Sequence, residues 1–136
     1  MVYTYKLLLG IPLIPTLHPI NMVKKETELT PVTRDYTIHL HKRLHHIGLK
    51  KRAPRSIRII KDFVSRIMKT KDVRIDYHLN DFLWSRGIKH VPFRVRVRLQ
   101  RKKNEEENAK EEMYTIVRYL PVDSFSGLRP EKVNSE

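Results

Sequence analysis

From Val91 to Lys103 the chain reads Val-Pro-Phe-Arg-Val-Arg-Val-Arg-Leu-Gln-Arg-Lys-Lys, an apolar and a cationic series interleaved at every second position. Successive side chains of an extended strand point to opposite faces, so Phe93, Val95, Val97 and Leu99 share one face and Arg94, Arg96, Arg98 and Gln100 the other. The first face requires a core; the second suits an anion. Arginines two positions apart on a strand stand roughly 6.5 to 7 Å apart, comparable with the spacing of phosphates along a nucleic-acid strand.

The charge balance supports a polyanionic partner. Lys and Arg number 28 against 15 Asp and Glu over 136 residues, for a net charge of +13. The excess is concentrated. Between Lys42 and Lys103 there are 20 basic and 4 acidic residues, so this middle carries +16 while the remainder sums to −3. The length suits one domain with a single core. There is no cysteine, which excludes disulfides, thiolate metal sites and thiol catalysis.

Residues 1–21 differ in composition from the rest: Lys6 is their only charge, and the apolar run from Leu7 to Ile20 is broken by Pro12, Pro15 and Pro19. That run is shorter than the roughly 20 apolar residues of a membrane span, and proline interrupts helix. A signal peptide is a weaker fit, because the positive region is thin and no small-x-small cleavage site follows. Residues 1–21 are therefore expected to be unstructured or untranslated, with Met22 as the start; an intact mass including them would overturn the second expectation. Residues 22–31 form a polar lead, residues 32–122 one RNA-binding domain, and residues 123–136 a polar tail held, if at all, by Phe125 and Leu128.

Within the domain, alternation from Thr33 to Lys42 places Tyr36, Ile38 and Leu40 on one strand face. Arg43 to Arg52 is a basic connection, with Gly48 suited to a tight turn. Pro54 fits the first turn of a helix whose Ile57, Ile60, Phe63, Val64, Ile67 and Met68 fall on one arc, opposite Arg58, Lys61, Asp62, Ser65 and Lys69. Asp72 to Asp76 reads as a short strand, with Asp76 capping a second helix that Gly87 ends. Leu79, Phe82 and Leu83 share a face of that helix, leaving Trp84 to seal a sheet edge. An acidic loop from Asn104 to Glu112 separates the arginine strand from another over Met113–Val122, paired antiparallel, with Met113, Thr115, Val117 and Tyr119 facing the core. The order strand, helix, strand, helix, strand, strand predicts an α+β two-layer sandwich: a small mixed or antiparallel sheet with two helices on one face.

The remaining polar residues include two sets with the chemistry to hold a metal ion. His39, His41, His45 and His46 could supply imidazoles to zinc, but their surroundings are cationic and the nearest carboxylate is Asp35. Asp72, Asp76 and Asp81 could hold a divalent ion for a nuclease, yet capping and helix-surface polarity account for Asp76 and Asp81. No Walker loop, dinucleotide fingerprint or nucleophile elbow is present. The expectation is a non-enzyme with no cofactor and no metal.

What remains is a basic surface: Lys42, Arg43, Lys50, Lys51, Arg52, Arg55, Arg94, Arg96, Arg98, Arg101, Lys102 and Lys103. Arginine's planar fork holds phosphate at two points. If eight of these neutralise phosphates, log affinity falls with log salt at a slope of roughly −5 to −7. Tyr77 and Trp84 are candidates to stack on bases if exposed. A free RNA- or DNA-binding regulator would use the same surface.

The order of motifs resembles the large-subunit ribosomal protein thirty-one family of eukaryotes and archaea. The resemblance lies in Arg34-Asp35-Tyr36-Thr37-Ile38 with His41-Lys42, Lys50-Lys51-Arg52-Ala53-Pro54, Asp72-Val73-Arg74-Ile75-Asp76, Leu79-Asn80, Trp84 and Gly87-Ile88. It continues in Val91 to Leu99, Arg101-Lys102-Lys103-Asn104-Glu105 and Tyr114-Thr115, covering about Val32 to Leu128. Leu49 departs from it, standing where an aromatic is expected, and residues 1–21 have no counterpart. The resemblance implies a non-catalytic constituent of the large ribosomal subunit, bound to its rRNA near the mouth of the peptide exit tunnel. It further implies ribosomal proteins as neighbours, access to nascent-chain factors, no membrane and no homo-oligomer. Its location would be the cytoplasmic ribosome, with passage through the nucleolus if eukaryotic.

Overall fold

The computed structural model describes residues 29–134. The expectations for residues 1–21, for Met22 and for most of the polar lead lie outside the described residues. Strand β1 (Val32–His39) leads through a short helix α1 (His41–Leu44) and a 3-10 turn (Leu49–Lys51) into the long helix α2 (Arg52–Met68). Then come β2 (Asp72–Ile75), helix α3 (Tyr77–Trp84), β3 (Arg94–Lys103), β4 (Met113–Tyr119) and β5 (Glu131–Val133). The sheet runs in the order β2-β4-β3-β1-β5. β2 lies parallel to β4 and every other pairing is antiparallel.

This is the expected α+β arrangement, with three differences. The basic connection after β1 is largely helical, and Gly48 sits at φ −56°, so no left-handed turn is made there. The C-terminal stretch, expected as a tail, contributes a fifth strand because Thr33, Arg34 and Asp35 leave the outer edge of β1 open to Val133, Lys132 and Glu131. Asp76 occupies the N-cap position of α3 without a side-chain cap bond; its backbone N–H instead donates to the Val117 carbonyl at 3.0 Å. Gly87 does end α3: at φ +87° it turns its N–H onto the Trp84 carbonyl at 2.9 Å.

The core lies between the helices and one sheet face. Register places Ile38 beside Val95, Tyr36 beside Val97 and Leu99 beside Val117, so the three central strands present a continuous apolar face. Ile60, Val64 and Met68 on α2, with Leu79 and Leu83 on α3, close over it, and all of these aliphatic residues are buried. Burying each contributes roughly 1.5–3 kcal/mol. On β4, Thr115 and Val117 are fully buried and Tyr119 packs against Phe82 with ring centroids 4.3 Å apart, as the sequence reading assigns. Thr115 is the polar exception in this layer. Its hydroxyl lies 2.6 Å from that of Thr70, also buried, tying the chain ahead of β2 to β4. Replacing Thr115 with Val leaves the Thr70 hydroxyl without that partner, so Thr115→Val is expected to cost about 1–2 kcal/mol in urea denaturation.

Phe93 obeys the alternation but does not join the core that the reading assigns to its face. It is 67% exposed, standing one residue ahead of the strand's start at Arg94. Its backbone is nevertheless fixed: the Phe93 carbonyl accepts the N–H groups of Leu40 at 2.8 Å and His41 at 3.2 Å.

Candidate nucleic-acid interface

The basic residues separate into three groups. Arg96 and Arg98 lie on the sheet face away from the helices, but neither is free. Arg96 is 2% exposed; its guanidinium donates to the Thr37 hydroxyl at 2.9 Å and to the Arg129 carbonyl at 2.9 Å. Arg98 forks onto Asp35, Nε to one carboxylate oxygen at 2.9 Å and Nη to the other at 3.0 Å. That hydrogen-bonded carboxylate raises the Arg98 pKa further above its already high value, against the opposing effect of desolvation. The expectation of an open sheet face carrying three solvent-facing arginines is corrected: the C-terminal segment folds back over it, and only Arg94 of the three is exposed.

Arg101 is also engaged. On the core-facing side of β3 it donates to the Met68 carbonyl at 2.7 Å, satisfying the last turn of α2, and to the Thr30 carbonyl at 2.9 Å. Desolvation, and then the nearby charge of Arg34, lower its pKa. Lys102 and Lys103 follow it, exposed, at the far end of β3.

The remaining predicted cations gather at the opposite end of the molecule. Lys42 and Arg43 are exposed on α1, and Lys50 and Lys51 on the 3-10 turn. Arg43 rests its guanidinium 5.5 Å from the centre of the Phe63 ring. Arg52 opens α2 and donates to the Ile47 carbonyl at 3.2 Å, and exposed Arg55 lies within the same first turn. The bonds from Leu40 and His41 to the Phe93 carbonyl, and from the Ala53 N–H to the Ile88 carbonyl at 3.2 Å, draw α1, the start of α2 and the start of β3 together. Arg94 thereby joins this cationic pole, whereas Lys103, nine strand steps away, stands about 30 Å from it.

Two further cations at the pole, Arg86 and Lys89, escaped the sequence reading. They share a small recess of ≈ 160 Å³ with Arg52, His41, His90 and Phe93. Their sequence signal is the basic run Ser85-Arg86-Gly87-Ile88-Lys89-His90, which local patterning marks only as a helix stop. His39, beside Arg94, has its pKa held below the ordinary imidazole value by desolvation, then by Arg94, Lys42 and His41, so it favours the neutral ring. Of the aromatic candidates, Tyr77 is 64% exposed; Trp84 is 38% exposed and so only partly sealed against the fold.

The electrostatics of α2 are unusual. Its first turn contains no acidic residue, its N-cap is Lys51, and no side chain caps it. A helix N-terminus carries a partial positive charge and unsatisfied N–H groups, which normally attract carboxylates. Here Lys50, Lys51, Arg52 and Arg55 crowd the same end. The same arrangement is what a phosphate favours.

Among the described residues no group of three or more His, Asp or Glu converges as a metal would require, and no helix is long and apolar enough to cross a membrane. Asp72 of the nuclease alternative is paired with Arg74 at 3.2 Å. The fold and the surface thus define a small, basic α+β protein whose chemistry is concentrated in a cationic pole. The family model described as ribosomal protein L31e matches residues 30–111, and the chain belongs to that family. It is 58% identical over 113 residues to the large ribosomal subunit protein eL31 of Cyanophora paradoxa, covering 83% of this chain and 95% of that protein. It is 58% identical over 102 residues to eL31 of Dictyostelium discoideum (75% and 92%), and 55% over 105 residues to that of Caenorhabditis elegans (77% and 86%). The family is one of ribosomal structural proteins rather than enzymes.

Proposed function

We propose that this chain is a structural constituent of the cytoplasmic large ribosomal subunit that docks on rRNA through its cationic pole. The observation that carries this reading is the start of α2, where four basic residues crowd the positive end of a helix with no acidic residue in its first turn. Without an anion this arrangement is self-repelling; a phosphate backbone offsets it. Lys42, Arg43, Lys50, Lys51, Arg52, Arg55 and Arg94 make the main contact. Lys102 and Lys103, at the distant end of β3, meet a separate stretch of RNA. Arg96, Arg98 and Arg101 serve the fold that holds these groups in place. Exposed Tyr77 and Leu49 are available to neighbouring ribosomal proteins. A position near the mouth of the exit tunnel, within reach of nascent-chain factors, rests on the family resemblance.

Sedimentation of the native protein through sucrose gradients at moderate and high monovalent salt tests this reading. Stoichiometric migration with large subunits at both salts is expected. Recovery at the top of both gradients would overturn it in favour of a free regulator.

A further inference from the structure

Phe93 is an exposed aromatic ring on a backbone that the fold holds rigidly. Two hydrogen bonds fix its carbonyl, the preceding Pro92 is buried, and the His41 ring braces it at a centroid distance of 4.4 Å and a tilt of 48°. Exposing a large apolar ring to water is unfavourable unless something covers it, and a fixed ring loses little further freedom when that happens.

Its surroundings indicate the covering group. A recess of ≈ 480 Å³ on one side sets His39, Arg86 and Arg94 beside the rings of Phe82 and Phe125; the ≈ 160 Å³ recess on the other includes Arg52, Arg86 and Lys89. Phe93, Pro92 and Arg86 belong to both, so the ring stands on the ridge between them. No carboxylate lines either recess. An apolar peptide would satisfy the ring and leave the flanking cations unmatched. A nucleotide satisfies both, its base lying on the ring and the phosphates on its two sides entering the recesses.

We propose that Phe93, on the ridge between these two cationic recesses, is a stacking platform for one unpaired base of the bound RNA. This rests on the reading of the chain as an rRNA-binding protein and extends it from phosphate contact to recognition of RNA shape: a bulged or looped nucleotide can offer its base face, whereas a base inside a regular duplex cannot.

The test uses the full chain and deproteinised large-subunit rRNA, with affinity measured by filter binding and contacts mapped by zero-length ultraviolet cross-linking and peptide mass spectrometry. Three forms are compared: wild type, Phe93→Leu, which keeps apolar bulk without a ring, and Phe93→Trp, which keeps the stacking surface. Thermal melts check that each variant folds. Phe93→Leu is expected to weaken binding by about 5- to 100-fold with an unchanged salt slope, and Phe93→Trp to stay within about twofold of wild type. A nucleotide adduct is expected on the peptide containing Phe93. If wild type and Phe93→Leu bind rRNA equally and no adduct forms there, the platform is overturned while the rRNA reading stands. If wild type binds no rRNA, both fall. If Phe93→Leu keeps its rRNA affinity but no longer sediments with large subunits, the ring meets a protein neighbour and the platform is overturned.

Discussion

Replacing Arg98 with Ala is expected to destabilise the fold by about 2–4 kcal/mol, read as a lower urea midpoint at unchanged slope. The loss should exceed that of Asp35→Ala, although the two residues form one ion pair. The asymmetry follows from burial. The Asp35 side chain is 6% exposed and that of Arg98 35%. Removing Arg98 strands a buried carboxylate that has lost both of its bonds and faces Glu131 across the β1–β5 register. Removing Asp35 instead frees a guanidinium that already reaches water, and an arginine at that exposure recovers much of its hydration. The double replacement should cost less than the sum of the two singles, because neither charge is then left uncompensated. Equal single losses would overturn the asymmetry, and additive ones would mean that the pair contributes nothing beyond separate packing. Lower RNA binding by Arg98→Ala would consequently say nothing about direct contact unless its stability were measured alongside.

The same pair marks how far the sequence could be read. Alternation over β3 identifies Val95, Val97 and Leu99 as core and assigns Arg94, Arg96 and Arg98 to the opposite face, because a strand's period is fixed at two. It does not say what covers that face. The covering segment ends in β5, only three residues long and reading Glu-Lys-Val, too short and too polar to carry a strand pattern of its own. Arg96 is buried by a carbonyl at Arg129, 33 residues distant, a contact with no local signal. Phe93 illustrates the converse: it obeys the alternation and is still exposed, since periodicity assigns a side of the sheet but not the extent of the layer above it. The helix periodicity carried further. The Ile60, Val64 and Met68 stripe is buried as its spacing requires, while Arg58 and Lys61 face water. Of the basic surface, the run from Lys50 to Arg55 was legible as charge, but its placement on the first turn of α2, and the joining of Arg86, Lys89 and Arg94 to it, depend on tertiary bonds at Phe93 and Ile88.

A triple replacement of Lys50, Lys51 and Arg55 with Ala is expected to lower rRNA affinity by about 10- to 1000-fold at physiological salt and to reduce the magnitude of the log–log salt slope by about 2 to 3. All three side chains are exposed, and none donates a side-chain hydrogen bond or forms an ion pair among the described residues. Their removal therefore breaks no contact that the fold uses. It also relieves like-charge crowding at the positive end of α2, where each cation costs about 0.3–1 kcal/mol, so the variant should melt at the same temperature as wild type or somewhat higher. Opposite signs for stability and affinity distinguish a residue kept for its partner from one kept for its fold, since surface charges selected for binding need not be placed where the isolated chain is most stable. Arg98→Ala belongs to the second kind, losing stability. The triple variant belongs to the first if it binds poorly while remaining as stable as wild type. If its salt slope and affinity match those of wild type, the pole at the start of α2 is not the docking surface, and the exposed Lys102 and Lys103 end of β3 takes its place.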